Sequence, residues 1–160
     1  MPADQHADTG ATLIELVVTI ALAGVLMAIA VGGYVAWARS SEQEGAASEV
    51  QAVLRQAQQR AVTEGRATCV EFDTARDRWT LFRGACTDTG RTVLEGPVRL
   101  DSSRVHLTTA AFTSSAGSTS GTTFSSRGTA TPGRVRIGRD GSSRVLTITV
   151  EGLTGRVDTQ

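Results

Sequence analysis

From Leu16 to Ala38 the chain reads LVVTIALAGVLMAIAVGGYVAWA, a run without a single charge, and then its pattern changes. About 23 uncharged residues suffice, as a helix, to span a bilayer core of roughly 30 Å. Tyr34 and Trp37 stand near the end of the run, where aromatic rings favour the membrane interface, and Arg39 follows at once. In the next stretch, Ala46, Ala47, Val50, Val53, Leu54, Ala57, Ala61 and Val62 recur at helical spacing. Glu42, Glu44, Glu49, Gln51, Arg55, Gln58 and Gln59 take much of the remaining surface. That pattern predicts an amphipathic helix with one buried stripe. Gly65 is its expected stop, because glycine readily adopts the left-handed conformation that closes helices. Residues 11–64 are thus expected to form one helix of about 80 Å. Its transmembrane part is 11–38 and its amphipathic continuation 39–64, with Gly24, Gly32, Gly33 and Gly45 as points of weakness.

Beyond Gly65 the period becomes two. Thr68–Phe72 and Trp79–Phe82 alternate like strands around a turn at Asp73–Asp77, a hairpin that sets Cys69 opposite Leu81. Shorter strands are expected at Thr92–Leu94, Val98–Leu100 and Val105–Leu107. Thr108 to Ser126, rich in Ser, Thr, Gly and Ala, reads as a long surface loop around a short strand at Thr123-Phe124. Arg134–Ile137, Val145–Val150 and Gly155–Val157 complete the strands, with turns at Arg139-Asp140-Gly141 and Gly152–Thr154. The expected fold class is α+β: a long N-terminal helix packed on a small antiparallel β-sheet domain, residues 65–160.

Composition narrows the chemistry. Phe72, Trp79, Phe82, Phe112 and Phe124 are the few large aromatics after the helix, a supply that suits a modest sheet-based core. The formal net charge is zero and every basic residue is arginine, so overall charge points to neither nucleic acid nor anionic lipid. Cys69 and Cys86 lack metal-ligand spacing, and the only histidines are His6 and His106, so no metal and no cofactor is expected. The two cysteines read either as a disulfide, if the domain lies outside the membrane, or as two separate small apolar residues. Asp73, Asp77 and Asp140 read as turn carboxylates with no partner histidine, and no serine stands in a nucleophile pattern, so no enzyme is expected.

One residue is out of place. Glu15 stands at the start of the apolar run, where a carboxylate is costly unless hydrated at the headgroup level or paired. Its context, Gly10-Ala11-Thr12-Leu13-Ile14-Glu15-Leu16, resembles the class III signal of type IV prepilins and type II secretion pseudopilins. The resemblance implies that residues 1–10 are a leader, removed by a prepilin peptidase between Gly10 and Ala11, with N-methylation of Ala11. It also implies that Glu15 pairs with the N-terminal ammonium of a neighbouring pilin or pseudopilin subunit during assembly. The chain departs from the family in three respects. No Arg or Lys precedes Gly10, Ala11 replaces the usual Phe, and Gly32-Gly33 stand near where many major pilins carry a proline.

The C-terminal half adds a finer likeness. Phe124-Ser-Ser-Arg-Gly128-Thr129, Gly133–Ile137, Leu146–Val150 and Gly155-Arg156-Val157 together resemble the GspH/FimT class of minor pseudopilins. That implies a structural subunit of a pilus or pseudopilus, at its tip or in its initiation. It would be held in the cell membrane by a single pass through lipid and served by an inner-membrane assembly platform. The β-rich domain would lie outside the cytoplasm and later in the filament. Gly155-Arg156-Val157 reads more simply as a turn and a packing residue than as a site. Arg134 and Arg136 share a strand face within a set completed by Arg127, Arg139 and Arg144; they could contact DNA phosphates, but no aromatic is interleaved to stack bases, and a solvated face is the preferred reading. A single-pass protein that never polymerises is the remaining alternative.

Overall fold

The helical and alternating patterns fold as separate layers. The computed structural model describes residues 12–115 and 117–160, so the expected leader, residues 1–10, lies outside them. Helix α1 (Leu13–Glu64) is followed by β1 (Thr68–Asp73), β2 (Arg78–Arg83), β3 (Thr92–Arg99), β4 (Val105–Ser114), β5 (Gly117–Thr119), β6 (Gly121–Phe124), β7 (Gly133–Arg139), β8 (Leu146–Val150) and β9 (Val157–Thr159). The chain divides into two units, Met1–Arg39 and Ser40–Gln160.

In the first unit the described part of α1 is long and apolar enough to cross a membrane, and its side chains are exposed from Leu16 to Val35. The hydroxyl of Thr19, polar within this stretch, donates to the Leu16 carbonyl at 2.9 Å and so is satisfied within the helix. Tyr34 and Trp37 pack against each other with ring centroids 6.1 Å apart.

In the second unit the expected stripe is buried at Ala46, Ala47, Val50, Val53, Leu54, Ala57 and Ala61. Val62 does not belong to it and remains 52% exposed, because Ala61 takes the inward position one turn after Ala57. Gly65, at φ 63°, ends the helix as expected, and the Arg66 N–H closes back onto the Ala61 carbonyl at 3.2 Å. The stripe faces one continuous core shared with two antiparallel sheets, ordered β3-β2-β1-β6 and β5-β4-β7-β8-β9. Val70, Phe72, Trp79, Leu81 and Phe124 line the first sheet; Val105, Leu107, Phe112, Val135, Ile137, Ile148 and Val150 line the second. The fold is therefore α+β, as the patterns predict.

Several boundaries differ, each for a local reason. The two short strands expected around Gly96-Pro97 are one strand, β3, continuing across the cis peptide bond there. Proline is tolerated because β3 is an edge strand and need not donate on its outer side. The expected loop after Leu107 is instead the second half of β4: a register shift between Leu107 and Thr109 breaks the alternation, after which Phe112 again points into the core. Cys69 faces Phe82, not Leu81, because the turn takes four residues, 74–77, and closes on Asp73 paired with Arg78. The last strand lies two residues later than expected, with Gly155 in the turn before it.

Candidate functional site

Gly10 and Ala11, the expected cleavage and methylation positions, lie outside the described residues. The helix start immediately after them is on view. Thr12 Oγ1 accepts the Glu15 N–H at 3.4 Å, and the Leu16 N–H bonds the Thr12 carbonyl at 3.2 Å. Thr12 thus occupies the capping position, a role the sequence reading overlooked although Thr-x-x-Glu is its signature. Glu15 falls in the first turn, where the positive end of the helix dipole favours a carboxylate. Its side chain is exposed, and no ion pair to it exists among the described residues. The sequence contains no Arg or Lys before Arg39, which lies about 36 Å further along a helix. The carboxylate therefore has a helix terminus behind it and, among the described residues, no cationic side chain paired with it.

Cys69 and Cys86 are joined by a disulfide, with Cα atoms 5.1 Å apart. Arg91 braces this corner: its guanidinium lies over the Phe82 ring at 4.0 Å, pairs with Glu71 at 2.6 Å, and donates to the Cys86 carbonyl at 3.2 Å.

The C-terminal motifs converge on one joint. Gln58, on α1, donates from Nε2 to the carbonyls of Gly128 at 3.2 Å and Thr154 at 3.0 Å. Gly155, at φ 63°, passes so close that a Cβ there would land on the Gly128 carbonyl and the Gln58 amide. Val157 is buried, and Arg156 pairs with Asp158 at 2.8 Å on the surface. The glycines hold a backbone crossing together, and the geometry accounts for Gly155-Arg156-Val157 without a ligand.

The helix grips the sheets through amides that the sequence reading either overlooked or put on the surface. Gln43 is 2% exposed and donates to the carbonyls of Ile137 at 3.0 Å and Arg144 at 2.9 Å. Its signal was positional: it lies on the stripe, three residues before Ala46 and four before Ala47. Glu49 accepts the Trp79 indole N–H at 2.9 Å, and Gln51 reaches the Val157 carbonyl at 3.4 Å.

Arg134 and Arg136 are both exposed on the outer face of β7, opposite Thr149 and Thr147 of β8. Arg144 belongs instead to the helix contact, lying 3.4 Å from Glu44 and 3.2 Å from the Ser40 hydroxyl. Two of the three turn carboxylates, Asp77 and Asp140, meet a histidine, contrary to expectation, whereas Asp73 pairs with Arg76 and Arg78. β4 runs past both turns and sets His106 between Asp77 and Asp140. No group able to hold a metal ion occurs among the described residues. An open cleft of about 610 Å³ lies beside Glu42, Glu49, Asp101 and Arg104, but Glu49 is engaged by Trp79 and Glu42 faces Arg104 at 3.9 Å.

Against known proteins, the family described as Type II transport protein GspH matches residues 46–154. No curated protein matches the chain. Among solved structures, the minor pseudopilin EpsH from the Type 2 Secretion System of Vibrio cholerae is 17% identical, with a TM-score of 0.57 over 74% of this chain and 96% of that one. The type IV minor pilin FimU of Pseudomonas aeruginosa is 20% identical, with a TM-score of 0.59 over 78% and 92%. The solution structure of E. coli GspH is 16% identical, with a TM-score of 0.53 over 75% and 88%. These likenesses share the pilin-like arrangement of one long N-terminal helix on antiparallel sheets.

Proposed function

Because the chain belongs to the GspH family of type II transport proteins, we propose that it is a minor pseudopilin that joins a secretion pseudopilus or type IV pilus through its N-terminal helix. Two of its solved likenesses, EpsH and FimU, are named as a minor pseudopilin and a type IV minor pilin, which supports a structural role over an enzymatic one. The observation that carries the assembly reading is Glu15: a carboxylate at the start of an apolar helix with no Arg or Lys before Arg39 in the sequence. Such a group is tolerated while hydrated at the membrane surface and becomes costly when buried alone. Cleavage between Gly10 and Ala11 by a prepilin peptidase creates an ammonium on Ala11, and N-methylation there keeps its charge. In a filament the ammonium of a neighbouring subunit then supplies the missing cation.

In this reading the helix holds the subunit in the cell membrane by a single pass until an inner-membrane platform extracts it. The β-rich domain lies outside the cytoplasm. A minor subunit of this class acts at initiation or at the tip. Two competing readings draw less support. A DNA contact through Arg134 and Arg136 lacks a neighbouring aromatic for base stacking. A single-pass protein that never polymerises leaves Glu15 without a role.

Replacing Glu15 with Val tests the proposal. Membrane insertion, followed by fractionation, is expected to be retained, and recovery in sheared filaments to be lost. Incorporation at the wild-type level would refute pairing through Glu15.

A further inference from the structure

His106, the only histidine among the described residues, stands between two carboxylates from different parts of the domain. Its Nδ1 lies 2.8 Å from Asp77 Oδ2, and its Nε2 lies 3.3 Å from Asp140 Oδ2. Asp77 ends the β1–β2 turn of the four-stranded sheet; His106 on β4 and Asp140 just after β7 belong to the five-stranded one. A neutral imidazole has one N–H and one lone pair, whereas an ionised carboxylate can only accept. One carboxylate on each ring nitrogen is therefore satisfied in full only by the imidazolium, which donates twice.

We propose that Asp77, His106 and Asp140 form a proton-operated clasp on the β7–β8 turn, closed when His106 is charged and open on its Asp140 side when it is neutral. The asymmetry follows from what else holds each acid. Asp77 is fixed independently: its Oδ1 accepts the Leu107 N–H at 2.8 Å, and its backbone carbonyl accepts the Leu100 N–H at 2.9 Å. Its side chain is 16% exposed, against 70% for Asp140. When the proton leaves, the remaining N–H stays on Nδ1 toward Asp77, and Nε2 presents a lone pair to the Asp140 carboxylate.

The opened side is the β7–β8 turn, which the helix also grips. Gln43 donates to the Arg144 carbonyl at 2.9 Å, and the Arg144 guanidinium faces Glu44 at 3.4 Å. Loss of the Asp140 contact leaves that turn held mainly from the helix side and by the Asp140 N–H on the Arg104 carbonyl.

Of the neighbouring charges, Arg104 reaches toward Glu42 at 3.9 Å and Arg78 pairs with Asp73 at 2.9 Å, while Arg139 is registered opposite Val105 with its Nε buried and without a hydrogen-bond partner. The hydrogen bond to Asp77, then that to Asp140, raises the His106 pKa above its ordinary 6.5 against the opposing effect of desolvation. A folded-state pKa above the unfolded value gives stabilisation that is complete below pH 6.5 and is lost as pH rises through the folded pKa.

The test uses the full chain in detergent micelles, with imidazole signals followed by NMR from about pH 5 to about pH 9, spanning ordinary histidine titration. A His106→Gln variant identifies the His106 signal against that of His6. The expected results are a His106 midpoint above 6.5 that moves back down in Asp140→Asn, and amide protection in residues 140–144 that falls across the same pH interval. Asp140→Asn, an exposed and nearly isosteric change, is expected to remain folded and to show low protection in the turn at every pH. A His106 midpoint at the ordinary value, or turn protection that stays constant while the ring titrates, would overturn the clasp.

Discussion

A methyl group at position 155 has nowhere to go. Gly155 sits at φ 63° under the Gly128 carbonyl and the Gln58 amide, so Gly155→Ala must both strain the backbone and push the crossing apart. The expected cost is about 2–4 kcal/mol, read as a lower denaturation midpoint of the full chain in micelles. Arg156→Ala, next door, removes only an exposed pair with Asp158 and should shift stability by less than about 0.5 kcal/mol. The contrast separates a packing motif from a charged one, because a binding role for the arginine would leave stability untouched while altering the bound partner. At this scale the sequence was half legible. A glycine before a short strand signals a turn, but nothing in the sequence places Gln58, many positions earlier, against it.

Between the helix and the sheets, side-chain amides supply the directional part of a contact that is otherwise apolar. Gln43→Ala strips the Ile137 and Arg144 carbonyls of their side-chain donor and opens space beneath the turn. A loss of about 2–3 kcal/mol is expected, measurable by chemical denaturation, with amide exchange accelerating first in residues 140–144. The apolar stripe itself was readable because Val50, Val53, Leu54 and Ala57 repeat with the helical period. Gln43 was not, since a polar residue on that stripe reads as surface until a carbonyl is known to face it. The strands show the same division. β2 and β8 alternate cleanly, whereas β4 hides behind the shift at Leu107/Thr109, and β3 behind Gly96-Pro97. His106 was invisible as a partner for Asp77 and Asp140 because the three meet only through the sheet pairing. At the helix start, Glu15 stood out by its isolation in an apolar run, whereas its Thr12 cap was overlooked despite the Thr-x-x-Glu spacing that signals it.

For the molecule as a whole, the disulfide closes a separation of 17 residues and ties β1 to the segment after β2. Reduction is expected to lower stability by about 3 kcal/mol through the freed chain entropy of the unfolded state. Paired melts of the oxidised and the reduced, alkylated chain check this, and coincident curves would contradict it. Arg91, bound to Glu71 and lying over Phe82, should keep the corner folded near neutral pH even when the bond is cut. The helix attachments have a further, mechanical consequence. Gln43, Gln51 and Gln58 fasten one rod to the sheets at three stations, spread over about 22 Å of helix. A tug along the rod from Ser40 strains all three stations and the apolar stripe between them together, as a lengthwise pull loads every rivet of a lap joint. A sideways peel from the same end would meet them one at a time. The domain is thus built to be towed by its helix rather than levered off it.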